Sequence, residues 1–397
     1  MTHEASVNSV VFSPDGKYAV SGSSDGTIRI WTAAPGKGAI RLIHDGGVSY
    51  VGLSPDGKHV ITTQDTIVRV WEMATGNEIA RHVHGLGVYS VASSPDGRYM
   101  VSVSSDNTVR VWETVTGEEV ARMAHEGPVY SVAFSPDGKY IVSGGYDRVA
   151  RVWEASTGKE VARLVHDDTV GSVAFNPDGK YVASGSLDNT VRLWEALTGK
   201  EVLRLAHADV LHSIAFSPDG KYIVSGSSDK TARVWEVATG KEVARLTHEA
   251  AVDRVAFSPD GGYVVTGSRD GIARVWEVYT GKEVARMPHD SSILSVAFSP
   301  DGKYVVSGGD STARVWEVLT GKEVARLTHE DTVGSAAFSP DGRYVISGSE
   351  DGTARIWMWQ PNDLIANACM YLPRNLTRGE WNQYIGDALP YQAVCPN

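Results

Sequence analysis

The sequence predicts an all-β fold, a β-propeller of four-stranded antiparallel blades, nine in number, followed by a short helical C-terminal tail. Three observations predict it. Trp31, Trp71, Trp112, Trp153, Trp194, Trp235, Trp276, Trp316 and Trp357 recur at intervals of 40 or 41 residues, and a fixed period of that size marks a repeat architecture before any local reading. Within each unit, four short segments of alternating apolar and polar residues are punctuated by turn-forming residues. No segment of the repeat carries apolar residues at helical spacing over three turns.

The fourth unit shows the elements in order. PVYSVAFSP, rich in β-branched and aromatic residues, is a first strand, and PDGK is a turn in which Pro presets φ and Gly supplies positive φ. KYIVSGG alternates, YDR turns, VARVWEA alternates again, STGKE turns, and VARLVH is a fourth strand. One such sheet cannot hide its two apolar faces, whereas sheets stacked radially about an axis bury each other. The Lys, Glu and Arg in and beside the outer VARL strand discourage pairing with another molecule.

The nine units span 1–359. The segment 360–397 abandons the pattern: Leu364, Ile365, Ala368 and Leu372 share a helical face, and Thr377 with Glu380 fits a capping box. Two short helices packed on the propeller are expected, over 363–372 and 378–386. The ninth unit has no VARL segment. It is expected to have three strands, or an edge covered by the tail or by residues preceding Met1.

Composition narrows the partners. Lys and Arg total 37 against 48 Asp and Glu, a formal charge of -11, which opposes attachment to nucleic acid or anionic membrane. The start MTHEASVNSV has no basic region ahead of an apolar run, so a cytoplasmic, monomeric protein is expected. Cys369 and Cys395, the two cysteines, both lie in the tail, bonded to each other or packed as small apolar residues. Asn375-Leu376-Thr377 is read as an accidental sequon.

A second set of residues keeps phase with the tryptophans. A histidine stands 27 or 28 residues before each Trp (His3, His44, His84, His125, His166, His207, His248, His289, His329), and an aspartate six residues before it, from Asp25 to Asp351. With these residues the chain resembles the WD-repeat β-propellers. The resemblance implies a hydrogen-bonded tetrad in each blade: His125, Ser143, Asp147 and Trp153 in the fourth, and His44, Thr62, Asp65 and Trp71 in the second. Two departures stand out: no Gly precedes any of the histidines, and Glu replaces the usual Asp after Trp in seven units. The second and eighth units lack one residue before Asp65 and Asp310 and should have tighter turns. One His per blade, each with its own Ser or Thr and Asp, reads as structural rather than metal-binding, and no cofactor is expected.

Comparing the nine units separates scaffold from variation. SPDGK, TGKE and VARL barely change, while the residues beside the first-strand Val and before the tetrad Asp vary. In WD-repeat proteins those positions lie on the face of the tetrad loops, where partners bind. Here they hold Tyr89, Tyr130, Tyr146, Leu187, His212, Asp253, Arg269, Leu294 and Glu350, with Asn8, Ser49, Ser105, Gly171 and Gly334 among them. Tyr and Arg are the types that anchor interfaces. The expected function is therefore a non-catalytic platform for a protein or peptide ligand. The rival readings are a purely structural scaffold and an enzyme with a rim site at His212, Asp253 and Arg269. The tail run RNLTRGEWNQYIGD looks like those ending prokaryotic WD-repeat signalling proteins, which implies the sensor part of a larger protein.

Overall fold

The computed structural model describes residues 2–33, 40–44, 46–360 and 377–379. The described residues form nine antiparallel sheets, eight with four strands and one with three, each in simple sequential order. Blade four is representative: Val129–Phe134, Tyr140–Gly145, Val149–Glu154 and Glu160–Val165 run up and down in turn. The first strands of neighbouring blades contact one another at eight of the nine blade junctions, all but that of blades two and three.

The core lies between blades. Nine clusters of buried residues fill the nine interfaces, among them one joining blades four and five through Val142, Leu164, Val170 and Trp194. The last closes the ring, packing Val7, Val10 and Phe12 of blade one against Ile346 and Ala354 of blade nine. Close stacking explains a glycine of the second strand: a Cβ on Gly144 would lie 2.6 Å from Val170 of the next blade. The Ser-Pro-Asp-Gly turn is locked by Ser135, which donates to Asp137 at 2.6 Å and accepts the Tyr140 N–H at 2.9 Å, while Gly138 supplies φ +72°.

The two shortened units solve their deletions differently. In blade two the turn itself tightens: Gln64 pairs with Ile67, and Asp65 adopts φ 44°. Blade eight keeps a three-residue connection and shortens its second strand to Tyr304–Gly308 instead, so the tighter turn expected there is not found. Blade nine has three strands, Val333–Phe338, Tyr344–Ser349 and Ala354–Met358, with one further bridge between Thr2 and Thr353. The chain leaves it at Trp359, which is buried against Tyr304 and Phe338 and donates to the Gly342 carbonyl at 3.0 Å. The expected tail helices and both cysteines fall outside the described residues, apart from 377–379. Among the described residues no helix is long and apolar enough to cross a membrane.

Candidate interaction face

The loop before each first strand and the turn between the second and third meet on one face of the ring, fixed by a relay of hydrogen bonds. In blade four the Trp153 indole donates to Ser143 Oγ at 2.8 Å, Ser143 meets His125 Nε2 at 2.7 Å, and His125 Nδ1 meets Asp147 at 3.1 Å. With Nδ1 carrying the proton, the indole, hydroxyl, imidazole and carboxylate of the tetrad each find a partner in one another, the condition under which a buried polar network fixes one arrangement. Burial drives the His125 pKa down and keeps the ring neutral. For Asp147 burial acts in the raising direction, yet hydrogen bonds from His125, Arg151 and the Glu126 N–H outweigh it and hold the carboxyl well below its ordinary range.

Arg151 is a member of the network that the sequence reading missed. Its side chain is 2% exposed, reaches Asp147 at 2.5 Å, and meets Glu160 of the fourth strand at 3.3 Å. Glu160 also holds Arg163 at 2.9 Å and so bridges two arginines placed opposite each other in the ladder. The signal was present: an Arg stands two residues before Trp in every unit, from Arg29 to Arg355. Outer-strand charges therefore belong partly to the interior network and do more than protect an edge.

Blade two departs from the expected tetrad. His44 Nδ1 meets Gln64 Oε1 at 2.9 Å, not Asp65, while Thr62 and Trp71 keep their places at 2.9 Å. Removing one residue from the turn moves Gln64 into the acceptor position. In blade eight, where the strand absorbs the deletion, Asp310 stays 3.2 Å from His289 Nδ1.

The variable residues are placed by β-bulges. The ladder skips a residue between Val129 and Ser131, and likewise at Val7/Ser9, Val170/Ser172, Leu211/Ser213, Val252/Arg254 and Val333/Ser335. The skipped residues are Tyr130, Asn8, Gly171, His212, Asp253 and Gly334, and Tyr89 is skipped in the same way in blade three. A bulged residue is left out of strand pairing and re-aimed, so the scaffold puts little constraint on its identity.

Two groups form on this rim. The Tyr89 and Tyr130 rings lie 4.9 Å apart, edge to face. Burial, then Tyr89 and Tyr146, raise the Tyr130 phenol pKa, and Tyr146 stands on the same blade as Tyr130, in the turn after its second strand. Tyr89 and Tyr146 are 56% and 62% exposed. On blades six and seven, His212 Nε2 meets Ser228 Oγ at 2.7 Å and lies 3.7 Å from Asp253, which binds Arg269 at 2.7 Å. Ser228 and Asp253 address the same ring nitrogen, whereas a relay through histidine needs one partner on each. Leu187 and Glu350 are exposed on their own blades, and Leu294 is half-buried, its carbonyl accepting from Arg254 Nε at 3.0 Å. These three join neither group.

Tyr50 and Arg254 were also missed. Both stand where the other seven units have Ser, on the inner strand. There Ser131 and Ser295 accept N–H groups of the next blade at 3.2 and 3.1 Å. The comparison of units that found the bulged positions would have found these one residue further on. Among the described residues no group of three or more His, Cys, Asp or Glu converges to hold a metal ion.

Comparison with known proteins agrees with this architecture. The crystal structure of the computationally designed Ika8 protein is similar, with a TM-score of 0.66 and 29% identity over 90% of this chain and 97% of that one. The WD domain, G-beta repeat family matches nine times, at residues 1–32, 40–72, 77–113, 117–154, 158–195, 199–236, 240–277, 281–317 and 321–358. With each blade matched in phase with its tetrad, the chain belongs to the WD40 repeat family.

Proposed function

We propose that this propeller is a non-catalytic platform that binds a protein or peptide through the face of the tetrad loops, centred on Tyr89, Tyr130 and Tyr146. The observation that carries this reading is the tyrosine cluster itself: three phenols from two adjacent blades, two of them more than half exposed, at bulge and turn positions that the scaffold does not need. Exposed, rigid aromatic groups with hydrogen-bonding tips suit interface anchors. The Asp253–Arg269 pair and His212 add a polar arc to the same rim. In the wider reading, the propeller is the sensor or scaffold module of a larger prokaryotic signalling protein and works as a cytoplasmic monomer.

The test compares wild type with a Tyr89→Ala, Tyr130→Ala, Tyr146→Ala variant as bait. The variant should keep the unfolding midpoint of wild type within experimental scatter and lose most partner recovery. Unchanged recovery would sink the proposed face and favour a scaffold without a specific ligand.

A further inference from the structure

The face opposite the tetrad loops carries the turns between first and second strands and between third and fourth. Where two blades meet on that face, the second residue after the third-strand Trp packs with a tyrosine of the preceding blade and a phenylalanine of its own. In blades four to nine that residue is Ala155, Ala196, Val237, Val278, Val318 and Trp359. A small side chain at a packed junction leaves space behind it. The junction of blades four and five holds a cavity of about 630 Å³, walled by Tyr140, Gly179, Tyr181, Leu197 and the buried methyl of Ala196. A second, of about 260 Å³, lies beside Ala155 at blades three and four, where Ser156 replaces Leu197. The first volume falls within the usual range of small-molecule sites and the second below it.

Blade nine shows what such a space accepts. Trp359 stands in the place of Ala196 and is 3% exposed. Its ring lies edge to face with Tyr304 at 4.5 Å and with Phe338 at 5.6 Å, and its indole N–H donates to the Gly342 carbonyl at 3.0 Å. Tyr304 and Gly342 are the counterparts of Tyr140 and Gly179, both of which line the larger cavity. Blade seven uses the neighbouring position to the same end: Tyr279, the counterpart of Leu197, lies edge to face with Tyr222, the counterpart of Tyr140, at 5.7 Å. In both blades the chain covers the tyrosine with an aromatic ring of its own, whereas blade five brings only Ala196 and Leu197 to Tyr140.

The rim is charged but balanced. Asp137, Asp178 and Glu195 line the cavity, and each faces a lysine: Lys139 at 3.4 Å, Lys180 at 3.0 Å and Lys200 at 3.9 Å. An uncharged ring therefore suits the site better than an ion of either sign. From this geometry we infer that the cavity between blades four and five is a binding site for an indole ring, distinct from the tyrosine face. The ring lies against Tyr140 as Trp359 lies against Tyr304, and its N–H donates to the Gly179 carbonyl as Trp359 donates to Gly342. Edge-to-face aromatic contact and one directed hydrogen bond fix its orientation.

The probe is indole, titrated into the full chain and followed by saturation-transfer NMR. Saturable binding is expected. N-methylindole, which has no N–H to donate, should bind roughly fivefold more weakly. Ala196→Trp should fill the cavity from within and abolish binding. Ala196→Val copies Val278 and Val318, each 1% exposed in its own blade, so it keeps a packing the fold already uses; it should weaken binding roughly fivefold or more. The Tyr89→Ala, Tyr130→Ala, Tyr146→Ala variant should bind indole as wild type does, which separates this site from the proposed interaction face. Tighter binding of indole than of N-acetyltryptophanamide assigns the ring to a free compound, and the reverse order to a tryptophan side chain of a partner. A flat indole titration overturns the inference, as does equal binding by N-methylindole or by the Ala196→Val variant.

Discussion

His82 shows how a single residue can break the rule its neighbours obey. In the outer strands that position holds Leu42, Met123, Leu164, Leu205, Leu246, Met287 and Leu327, each facing the following blade. His82 is 2% exposed and stacks on Trp112 with ring centroids 4.2 Å apart, but among the described residues neither ring nitrogen has a hydrogen-bond partner. Burial, with His84 nearby, depresses its pKa to about 4. Stranding buried polar atoms costs about 1–3 kcal/mol, and the site holds Leu in five sister blades and Met in two. His82→Leu should therefore stabilise the protein by about 1–2 kcal/mol, read as a raised urea midpoint at unchanged slope; a lowered midpoint would contradict the assignment. The tetrad histidines were legible from spacing because each has a partner at fixed phase. Gln64 was not, because the one-residue deletion in blade two leaves Asp65 in phase with Trp71 while the three-dimensional turn presents its neighbour.

The turn between second and third strands carries the next argument. In seven blades the residue after the tetrad Asp has positive φ: Gly26, Gly271 and Gly352 in three, Asn107 and Asn189 in two, but Arg148 at 66° and Lys230 at 68° in the other two. Left-handed backbone costs an ordinary side chain about 1–2 kcal/mol, which Gly avoids and Asn partly avoids, although Gly returns some of that gain as unfolded-state entropy. Arg148→Gly and Lys230→Gly should each stabilise by about 0.5–1 kcal/mol, additively because they lie in different blades. Thermal unfolding of the two single variants and the double checks both claims, and a destabilised single variant would mean that the side chain makes a contact outweighing the strain. Strand number and turn position were legible here because alternation and Asp-Gly or Asp-Asn turns are local signals. The bulges were not, since skipping Tyr130 is decided by pairing with Gly144 and Gly145 across the sheet, and the same skip is what frees the rim positions to vary.

At the scale of the ring, the same buried network is repeated around the axis, so a small effect in one blade acts on the molecule several times over. Burial pushes His44 and His248 down to about 4, and lowers His84, His125, His207, His289 and His329 in the same direction. In the unfolded chain these rings titrate near their ordinary value of about 6.5. Below that pH the unfolded state binds protons that the native state refuses, so stability falls as pH falls. The tetrad carboxylates, held below their ordinary range as Asp147 is, reinforce the trend only once the pH drops below about 4, where an unfolded Asp begins to take up protons. The first loss on acidification is thus a histidine effect. The urea midpoint should fall steadily between about pH 7 and about pH 5, with native circular dichroism retained before the transition. His82→Leu, which removes one depressed histidine, should flatten that slope as well as raise the curve. A midpoint independent of pH over this range would show that the rings remain as easily protonated in the blades as in the unfolded chain, which contradicts the burial that lowers them.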